Sequence, residues 1–326
     1  MNEIDQLMQR YDGSLPGASL LVMRDGKAVV RKSWGLADLD AKISATPRTN
    51  YRLASVTKQF TAAAILLLAQ DRKLQLDDRI RQWLPSLPDA TDQITIRQVL
   101  THTSGLVDYE DVMAPGTTVQ VHDADVLRLL ETQDSTYFKP GTKYAYSNTG
   151  YSLLALIVER TSGRSFAAFL RDRIFTPLGM SQTVAFENGI STVSDRAFGY
   201  TMRDGTWTRK DQSSTSAVLG DGGIYSSIDD LAKWDAALYD SRLLTDELRQ
   251  LAFTPHTDTN AADVKYGFGW RITGETLWHS GETTGFRNVI VRYPARKLTV
   301  VVLTNRDNPE PYKTALAVAD IFLPDR

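Results

Sequence analysis

The chain has 326 residues, of which 42% are hydrophobic and 23% charged, and its net charge at pH 7 is -2. These proportions are typical of a well-packed globular protein and exclude disordered and fibrous classes. The nearly balanced charge and the lack of a basic run predict no nucleic-acid partner, and the absence of cysteine excludes disulfides and a cysteine nucleophile.

Two further classes are not expected from the sequence. The four histidines, at positions 102, 122, 256 and 279, have no metal-ligand spacing, so no metal site is predicted. No basic segment followed by an apolar core opens the chain, and no stretch has the length of a membrane span. We expect a cytoplasmic location if this is the whole native chain, and a periplasmic or secreted one if a leader was removed.

The predicted elements begin with a β-hairpin, in which residues 18–23 and 27–32 flank an Asp25–Gly26 turn. Helical periodicity then dominates, with Thr95 and Ser227 as predicted N-caps and Gly163 as a predicted C-cap. The predicted helices cover residues 60–70, 96–100, 124–130, 151–159, 166–175 and 231–238.

The last third changes to short β-branched and aromatic runs, which predict an antiparallel meander at 267–273, 276–279, 287–292 and 298–304, followed by a helix at 315–322. Strands at both ends indicate an α+β fold with one antiparallel sheet built from both termini and flanked by helices. The expected domains are a sheet domain of residues 1–54 and 216–326 and a mostly helical inserted domain of residues 55–215. An active site is expected in the cleft between them.

A serine–lysine pair stands at the start of the first long helical run, in Ser55-Val56-Thr57-Lys58. Residues three apart share one face of a helix, and the free N–H groups of a helix start favour negative charge. The pair is therefore a predicted nucleophile and activating base. About one such tetrapeptide is expected by chance in a chain of this length, so an N-capping serine beside a solvated lysine is the alternative.

Two other stretches could supply a second proton acceptor and an oxyanion-binding group, which this pair lacks. Tyr146 offers a second proton acceptor, and Asn148 could orient Lys58 and a substrate amide. Either could instead be a core tyrosine or a turn residue. The run from His279 through Ser280, Gly281 and Glu282 lies at a predicted strand end, where a backbone N–H could bind an oxyanion. His279 could equally be a hydrogen-bonded histidine at that strand end, and His102 is interpreted as structural.

Together these motifs resemble the class C β-lactamase and penicillin-binding-protein-like serine hydrolases, which include esterases, D-aminopeptidases and D-alanyl-D-alanine carboxypeptidases. The resemblance covers nearly the whole chain, and its markers occur in family order. They are Ser55-Val56-Thr57-Lys58, the run from Leu100 to Leu106, Pro140-Gly141 leading to Tyr146-Ser147-Asn148, Gly222 to Ser227, and His279-Ser280-Gly281. The tyrosine form points to the class C-like branch.

The resemblance implies Ser55 as nucleophile, Lys58 as its activating partner and Tyr146 as general base and acid. It implies Asn148 and the strand residues His279, Ser280, Gly281 and Glu282 as substrate-binding, with the backbone N–H groups of Ser55 and Glu282 as the oxyanion hole. No cofactor is implied, and the implied partner is a small ester, amide or peptide substrate.

One departure bears on the substrate. Where a class C β-lactamase has Lys-Thr-Gly, this chain has His279-Ser280-Gly281, and histidine is largely neutral at pH 7. An esterase or small amide or peptide hydrolase is therefore favoured over a β-lactamase or D-Ala-D-Ala carboxypeptidase. A non-catalytic peptidoglycan- or peptide-binding module is a further alternative. A Ser-His-Asp hydrolase is disfavoured because no Gly-x-Ser-x-Gly elbow occurs.

Overall fold

The computed structural model describes residues 3–323. The helices are α1 (Glu3–Met8), α2 (Lys58–Gln70), α3 (Ile96–Leu100), α4 (Tyr109–Val112), α5 (Asp123–Leu130), α6 (Asn148–Ser162), α7 (Phe166–Leu170), α8 (Leu219–Gly222), α9 (Ile228–Ala237), α10 (Asp246–Phe253) and α11 (Tyr312–Phe322). The strands are β1 (Ala18–Arg24), β2 (Lys27–Trp34), β3 (Leu36–Asp38), β4 (Ile43–Ser44), β5 (Tyr51–Arg52), β6 (Val184–Ala185), β7 (Tyr200–Arg203), β8 (Thr206–Arg209), β9 (Ile224–Ser226), β10 (Thr257–Asp258), β11 (Lys265–Tyr266), β12 (Arg271–Thr273), β13 (Thr276–Thr283), β14 (Phe286–Tyr293) and β15 (Leu298–Thr304).

An eight-stranded sheet joins the two ends of the chain. Its order is β10-β11-β12-β13-β14-β15-β1-β2, and the paired strands are antiparallel. The first hairpin therefore lies beside the last strand, with Ala18 opposite Thr304. This confirms the predicted α+β class and the sheet built from both termini. The predicted boundaries of the two domains stay a prediction.

The sheet is buried on both faces, because successive side chains of a strand point to opposite sides. In β15, Val300 and Val302 belong to one apolar cluster, whereas Val301 and Leu303 belong to the other. Helices α1 and α11 contribute to the first cluster, and α2 contributes eight buried apolar residues to the second. Burial of α2 on nearly every side makes it the central helix of the fold.

Local signals mark several helix ends correctly. The side chains of Thr95 and Ser227 accept hydrogen bonds from the N–H groups of Gln98 and Asp230, as N-caps do. Gly163 ends α6 with a φ of 70°, which an L side chain rarely adopts. These three predictions are confirmed.

Two predicted elements are wrong in part. The helix expected at 166–175 is α-helical only over α7 and continues as a π-helical turn, Arg171–Phe175. The strand expected at 267–273 exists only as β12, Arg271–Thr273. Residues 267–270 are instead a turn, in which Gly269 has a φ of 74° and lies against the backbone of Lys58. The aromatic residues of this turn are buried in the core. A short buried turn and a short buried strand have the same apolar pattern in the sequence.

A buried ion pair fastens α9 to the sheet. Arg292 of β14 and Asp235 of α9 are 0% and 3% exposed, and Arg292 Nε donates to Asp235 Oδ1 over 2.7 Å. The same oxygen accepts a bond of 2.8 Å from Thr299. The guanidinium carbon also lies 4.6 Å from the ring centroid of Tyr239. Because neither charged group is solvated by water, each is stabilised mainly by its ion-pair partner.

We predict that Asp235→Asn lowers the free energy of unfolding by about 3–5 kcal/mol, because it leaves the guanidinium of Arg292 buried without a counter-charge. Urea unfolding monitored by circular dichroism measures the change. Asp229→Asn, on the same helix, removes the exposed ion pair with Arg31 and should cost only about 0–1 kcal/mol. Equal losses in the two variants would contradict the prediction.

Candidate active site

Ser55 lies in a tight turn that leads into α2. The turn is a 3₁₀ helix, Ala54–Thr57, and α2 begins at Lys58. Ala54 has a φ of 50°, in the left-handed region that L residues rarely adopt. Such backbone strain persists only where the surrounding structure imposes it, and it is common at functional sites. Ser55 and Lys58 thus adjoin as predicted, although in two successive helical segments.

Lys58 is fully buried and makes three hydrogen bonds. None of its surface is exposed to solvent. Nζ donates to Ser55 Oγ at 3.0 Å, to Asn148 Oδ1 at 2.8 Å and to the backbone oxygen of Asp221 at 3.1 Å. The three acceptors use all three protons of an ammonium group.

None of these acceptors carries a formal charge. Within residues 3–323, no carboxylate forms an ion pair with Lys58. A buried ammonium without a counter-ion is costly, and most buried charges are paired. Ion pairing therefore does not explain the burial of this lysine, whereas contact with a serine hydroxyl suits activation of that hydroxyl. This burial also argues against the alternative of a solvated lysine beside a capping serine.

Tyr146 lies against Lys58 on a loop that His102 supports. Lys58 Nζ is 4.8 Å from the centroid of the Tyr146 ring. His102 has a φ of 58° and is fully buried, and its ring centroid is 4.3 Å from that of Tyr146. Its Nδ1 accepts the backbone N–H of Ser147 over 3.0 Å. The structural interpretation of His102 fits these contacts, since it shapes the backbone that presents Tyr146.

Asn148 starts α6 and links the lysine to an acidic residue. While Oδ1 accepts from Lys58, Nδ2 donates to Glu110 Oε1 over 3.2 Å. Its backbone N–H donates to Asp108 Oδ2 over 3.2 Å. The two partners of the side chain fix the orientation of the amide, with its oxygen toward the ammonium.

Strand β13 approaches the serine turn so closely that Gly281 cannot carry a side chain. A Cβ at this position would lie 2.0 Å from the backbone oxygen of Leu53. Strand β12 pairs with β13 only up to Trp278, so among the described residues no strand covers that edge of β13 from His279 onward. The strand packs against the turn of Ser55 at Gly281, next to Glu282, where an oxyanion-binding N–H is predicted.

His279, which the sequence predicts as a substrate-binding residue, has a buried ring whose two nitrogens are both hydrogen-bonded within the protein. The residue is 1% exposed, and the carbonyl of Ser280 accepts a bond of 2.6 Å from its Nδ1. Nδ1 therefore carries the proton, and Nε2 accepts from the hydroxyl of Tyr266 over 3.0 Å. Burial holds the pKa of His279 well below its usual value of 6.5, so the ring is neutral. It fits the alternative interpretation of a hydrogen-bonded histidine.

The remaining predicted strand residues lie at the surface of the site. Glu282 is exposed and Ser280 is half-buried, with Ser280 Oγ 3.5 Å from Glu282 Oε1. A pocket opens beside Ser55, and its lining includes Arg52, Ser55, Tyr109, Glu110, Asn148, Asp221 and Glu282. The structure thus brings Ser55, Asn148 and Glu282 to one pocket, while Lys58 lies buried beneath it.

Asp221 is an ionisable group of the site that the sequence did not reveal. Its backbone oxygen accepts from Lys58, and its carboxylate accepts from the hydroxyl of Tyr109 over 3.3 Å. Burial raises the pKa of Asp221 to about 7, against the opposing attraction of Lys58. It stands on the short helix α8, directly before the motif that runs from Gly222 to Ser227.

Other contributors were also missed. Glu110 contacts Asn148, Tyr266 contacts His279, and the guanidinium carbon of Arg271 lies 5.5 Å from the Tyr146 ring centroid. The one available signal was the glycine and aromatic run at 266–270, which is unusual for an exposed strand. Nothing local marks Glu110 or Arg271, because their roles arise from tertiary contacts.

Within residues 3–323, the structure contains no group of three or more His, Asp or Glu side chains placed to hold a metal ion. Over the same residues, no helix combines the length and apolar character needed to cross a membrane.

The sheet, the helices around it and the half-buried Ser55 hydrogen-bonded to the buried Lys58 define the β-lactamase and penicillin-binding-protein class of fold. The family model described as Beta-lactamase matches residues 2–322. The chain therefore belongs to the β-lactamase family and is a hydrolase of that family.

Three similar proteins illustrate the range of relatives. Penicillin-binding protein 4* of Bacillus subtilis is 31% identical over 92% of this chain and 70% of its own length. D-aminopeptidase of Gluconobacter oxydans is 30% identical over 93% of this chain but only 58% of its own length. An octameric penicillin-binding protein homologue from Pyrococcus abyssi has a TM-score of 0.87 at 27% identity, covering 98% of this chain and 76% of that one.

We predict that Gly281→Ala lowers kcat/KM by about 100-fold or more, because β13 must move away from Leu53 and a displacement near 1 Å is enough for such a loss. Ester hydrolysis measures the effect, and circular dichroism reports the fold. Gly222→Ala is the matched control, since its Cβ would come no closer than 3.6 Å to Ala54. Similar losses in both variants would contradict the steric explanation.

The raised pKa of Asp221 leads to a prediction about how the stability of the protein depends on pH. Its folded pKa of about 7 exceeds the usual 3.8, so the folded state holds this proton more tightly than the unfolded state. The contribution is complete below about pH 4 and is lost as pH rises through about 7. Asp221→Asn has no carboxyl group to titrate, so its stability should not decrease in this way. We therefore expect the free energy of unfolding of Asp221→Asn, relative to that of the native protein, to rise by up to about 4 kcal/mol between about pH 4 and pH 7.

Urea unfolding at a series of pH values measures this difference. Tyr109→Phe serves as the control, because it removes the hydrogen bond to the same carboxylate and retains the acid. Parallel stability curves for Asp221→Asn and the native protein would show that the carboxyl group does not titrate in this window.

Proposed function

We propose that the protein is a serine hydrolase that forms an acyl-enzyme at Ser55 and acts on an ester or a small amide or peptide. The observation that carries the proposal is the 3.0 Å hydrogen bond from the buried, unpaired Lys58 ammonium to Ser55 Oγ. A serine hydroxyl is a weak nucleophile until a neighbouring group takes its proton. We infer that burial of the Lys58 ammonium beside Ser55 lowers the stability of the protein but serves to activate the hydroxyl.

In the proposed reaction, Tyr146 acts as the phenolate, which the neighbouring Lys58 ammonium favours. Ser55 Oγ bonds to the substrate carbonyl carbon while its proton passes to the phenolate oxygen of Tyr146. Negative charge collects on the former carbonyl oxygen, which accepts from the backbone N–H groups of Ser55 and Glu282. Collapse breaks the bond to the leaving group, and the proton from Tyr146 goes to the leaving atom. Water then attacks the acyl-enzyme by the same route and releases the acid.

The neutral His279 supports the preference for esters and small amides or peptides. It supplies no fixed positive charge at the strand, and burial keeps its ring away from the pocket. The pocket lining instead includes three acidic residues, Glu110, Asp221 and Glu282, against one cation, Arg52, so acidic groups predominate. Substrates without a negative charge near the scissile bond suit this lining better than anionic ones. The D-aminopeptidase relative supports an amide or peptide substrate.

The proposal is tested with a fluorophosphonate probe and a panel of p-nitrophenyl esters and D-amino-acid anilides. We expect one adduct at Ser55 by mass spectrometry, and loss of both labelling and turnover by a factor on the order of 10⁴ or more in Ser55→Ala. Ser44→Ala, at an exposed strand outside the site, should behave as the native protein.

Absence of labelling in the native protein, or undiminished labelling in Ser55→Ala, would refute the proposal and favour a non-catalytic binding module. Reaction with penicillins is the second candidate function, which the similarity to penicillin-binding protein 4* favours. Nitrocefin turnover, or a stable penicilloyl adduct at Ser55 by intact mass, would establish it in place of the ester or amide preference.

A further inference from the structure

Arg271 lies against the face of the predicted general base. It is the first residue of β12 and pairs with Trp278 of β13, at the last covered position of that strand. Its guanidinium carbon is 5.5 Å from the ring centroid of Tyr146 and 5.2 Å from that of Trp278. Two aromatic rings thus hold the group in place beside the site.

The guanidinium has no carboxylate partner within residues 3–323. Its Nε is buried and makes no hydrogen bond. Arg292, the other arginine packed among aromatic rings of this sheet, is paired with Asp235 at 2.7 Å. A structural role of the same kind would favour such a partner, because an unpaired guanidinium in a half-buried position is costly. The ring of Tyr146 therefore faces a cation whose charge is not already balanced.

We propose that Arg271 is a positioning residue for the hydrolase reaction, whose positive charge, together with that of Lys58, stabilises the negative charge that Tyr146 carries when it acts as base. This inference rests on the proposed function, since it assigns Arg271 a part in the step that activates Ser55. It also identifies a fixed cation one strand away from His279, where the family lysine is absent.

The surroundings of Tyr146 support this assignment. The ionisable groups in contact with its ring are Lys58, His102, Tyr266, Arg271 and His279. The phenols of Tyr144 and Tyr151 also lie near enough to interact with it electrostatically. Burial holds the pKa of both histidines well below 6.5, so they add no charge near neutral pH. Among these groups, the fixed positive charge comes from Lys58 at 4.8 Å and Arg271 at 5.5 Å.

Distance makes the contribution appreciable. An opposite charge within a few ångströms of an acid shifts its titration by about one unit or more when water is partly excluded. The phenolate of Tyr146 gains from a cation over its face by the full ionic attraction, whereas the neutral phenol gains only the weaker cation–π attraction. Removal of Arg271 should therefore destabilise the phenolate form of Tyr146 more than the neutral phenol.

The experiment compares pH profiles of Arg271→Gln, Arg271→Met and Arg271→Lys with that of the native protein. The readout is the second-order rate of Ser55 labelling by a fluorophosphonate, a probe without a carboxylate. We expect the two neutral variants to lose about tenfold or more at pH 7, to have an acidic limb displaced upward by about one pH unit, and to recover at high pH. Arg271→Lys should retain most of the native rate.

Arg296→Gln is the matched control, because it changes net charge equally on an exposed residue of the adjoining strand connection. A uniform loss in both neutral variants, with an unmoved pH profile, would mean that Arg271 only supports the fold. Normal labelling, with loss confined to substrates that carry a carboxylate, would identify a substrate-anion contact instead. Either result overturns the inference while native labelling of Ser55 upholds the proposed function.

Discussion

The hydrogen bonds of the buried Lys58 ammonium hold the site together. Its three acceptors come from three distant parts of the chain: the turn of Ser55, the start of α6 at Asn148, and the backbone of Asp221 on α8. None of these segments could shift without leaving a buried proton of the ammonium unsatisfied, and such a loss costs about 1–3 kcal/mol or more. The lysine therefore fixes the mutual positions of the loops that bear the other predicted site residues.

Close backbone approaches make this arrangement possible. Gly281 lies against the oxygen of Leu53, and Gly269 lies against the oxygen of Lys58, where a Cβ would stand at 2.0 Å and 2.7 Å. On the far side, Gly220 of α8 packs on the backbone of Tyr151 in α6. Glycines stand at the points where strand, turn and helix converge on the serine–lysine pair, and a methyl group at any of them would separate the elements.

Local chemistry explains what could be predicted from the sequence. Helix caps such as Thr95 and Ser227, and the apolar strands β1 and β15, depend on near neighbours in the chain and were predicted correctly. Ser55, Lys58, Tyr146 and Asn148 were predicted as site residues because they lie in motifs that occur in a recognisable order. The structure brings Lys58 into contact with the other three of these residues.

The remaining features depend on contacts that spacing does not encode. The aromatic turn at 267–270 has the composition of a strand, and only its packing against Lys58 makes it a turn. The position of His279 depends on Tyr266, and the position of Arg271 depends on Tyr146. Such pairings are set by the register of β11, β12 and β13 and by the loop of Tyr146. They become visible only when the sheet is assembled.

The distribution of charge around Lys58 explains how a buried ammonium can be tolerated and still act. The nearest acids are kept one group away: the carboxylate of Glu110 reaches it through the amide of Asn148, and Asp221 offers its backbone oxygen in place of its carboxylate. Their attraction offsets part of the cost of burial without forming a contact ion pair. A contact pair would occupy the protons that face Ser55 and would compete with the hydroxyl for the ammonium. Separation by one polar group therefore leaves Lys58 stable enough to remain buried and free to hydrogen-bond the serine it is proposed to activate.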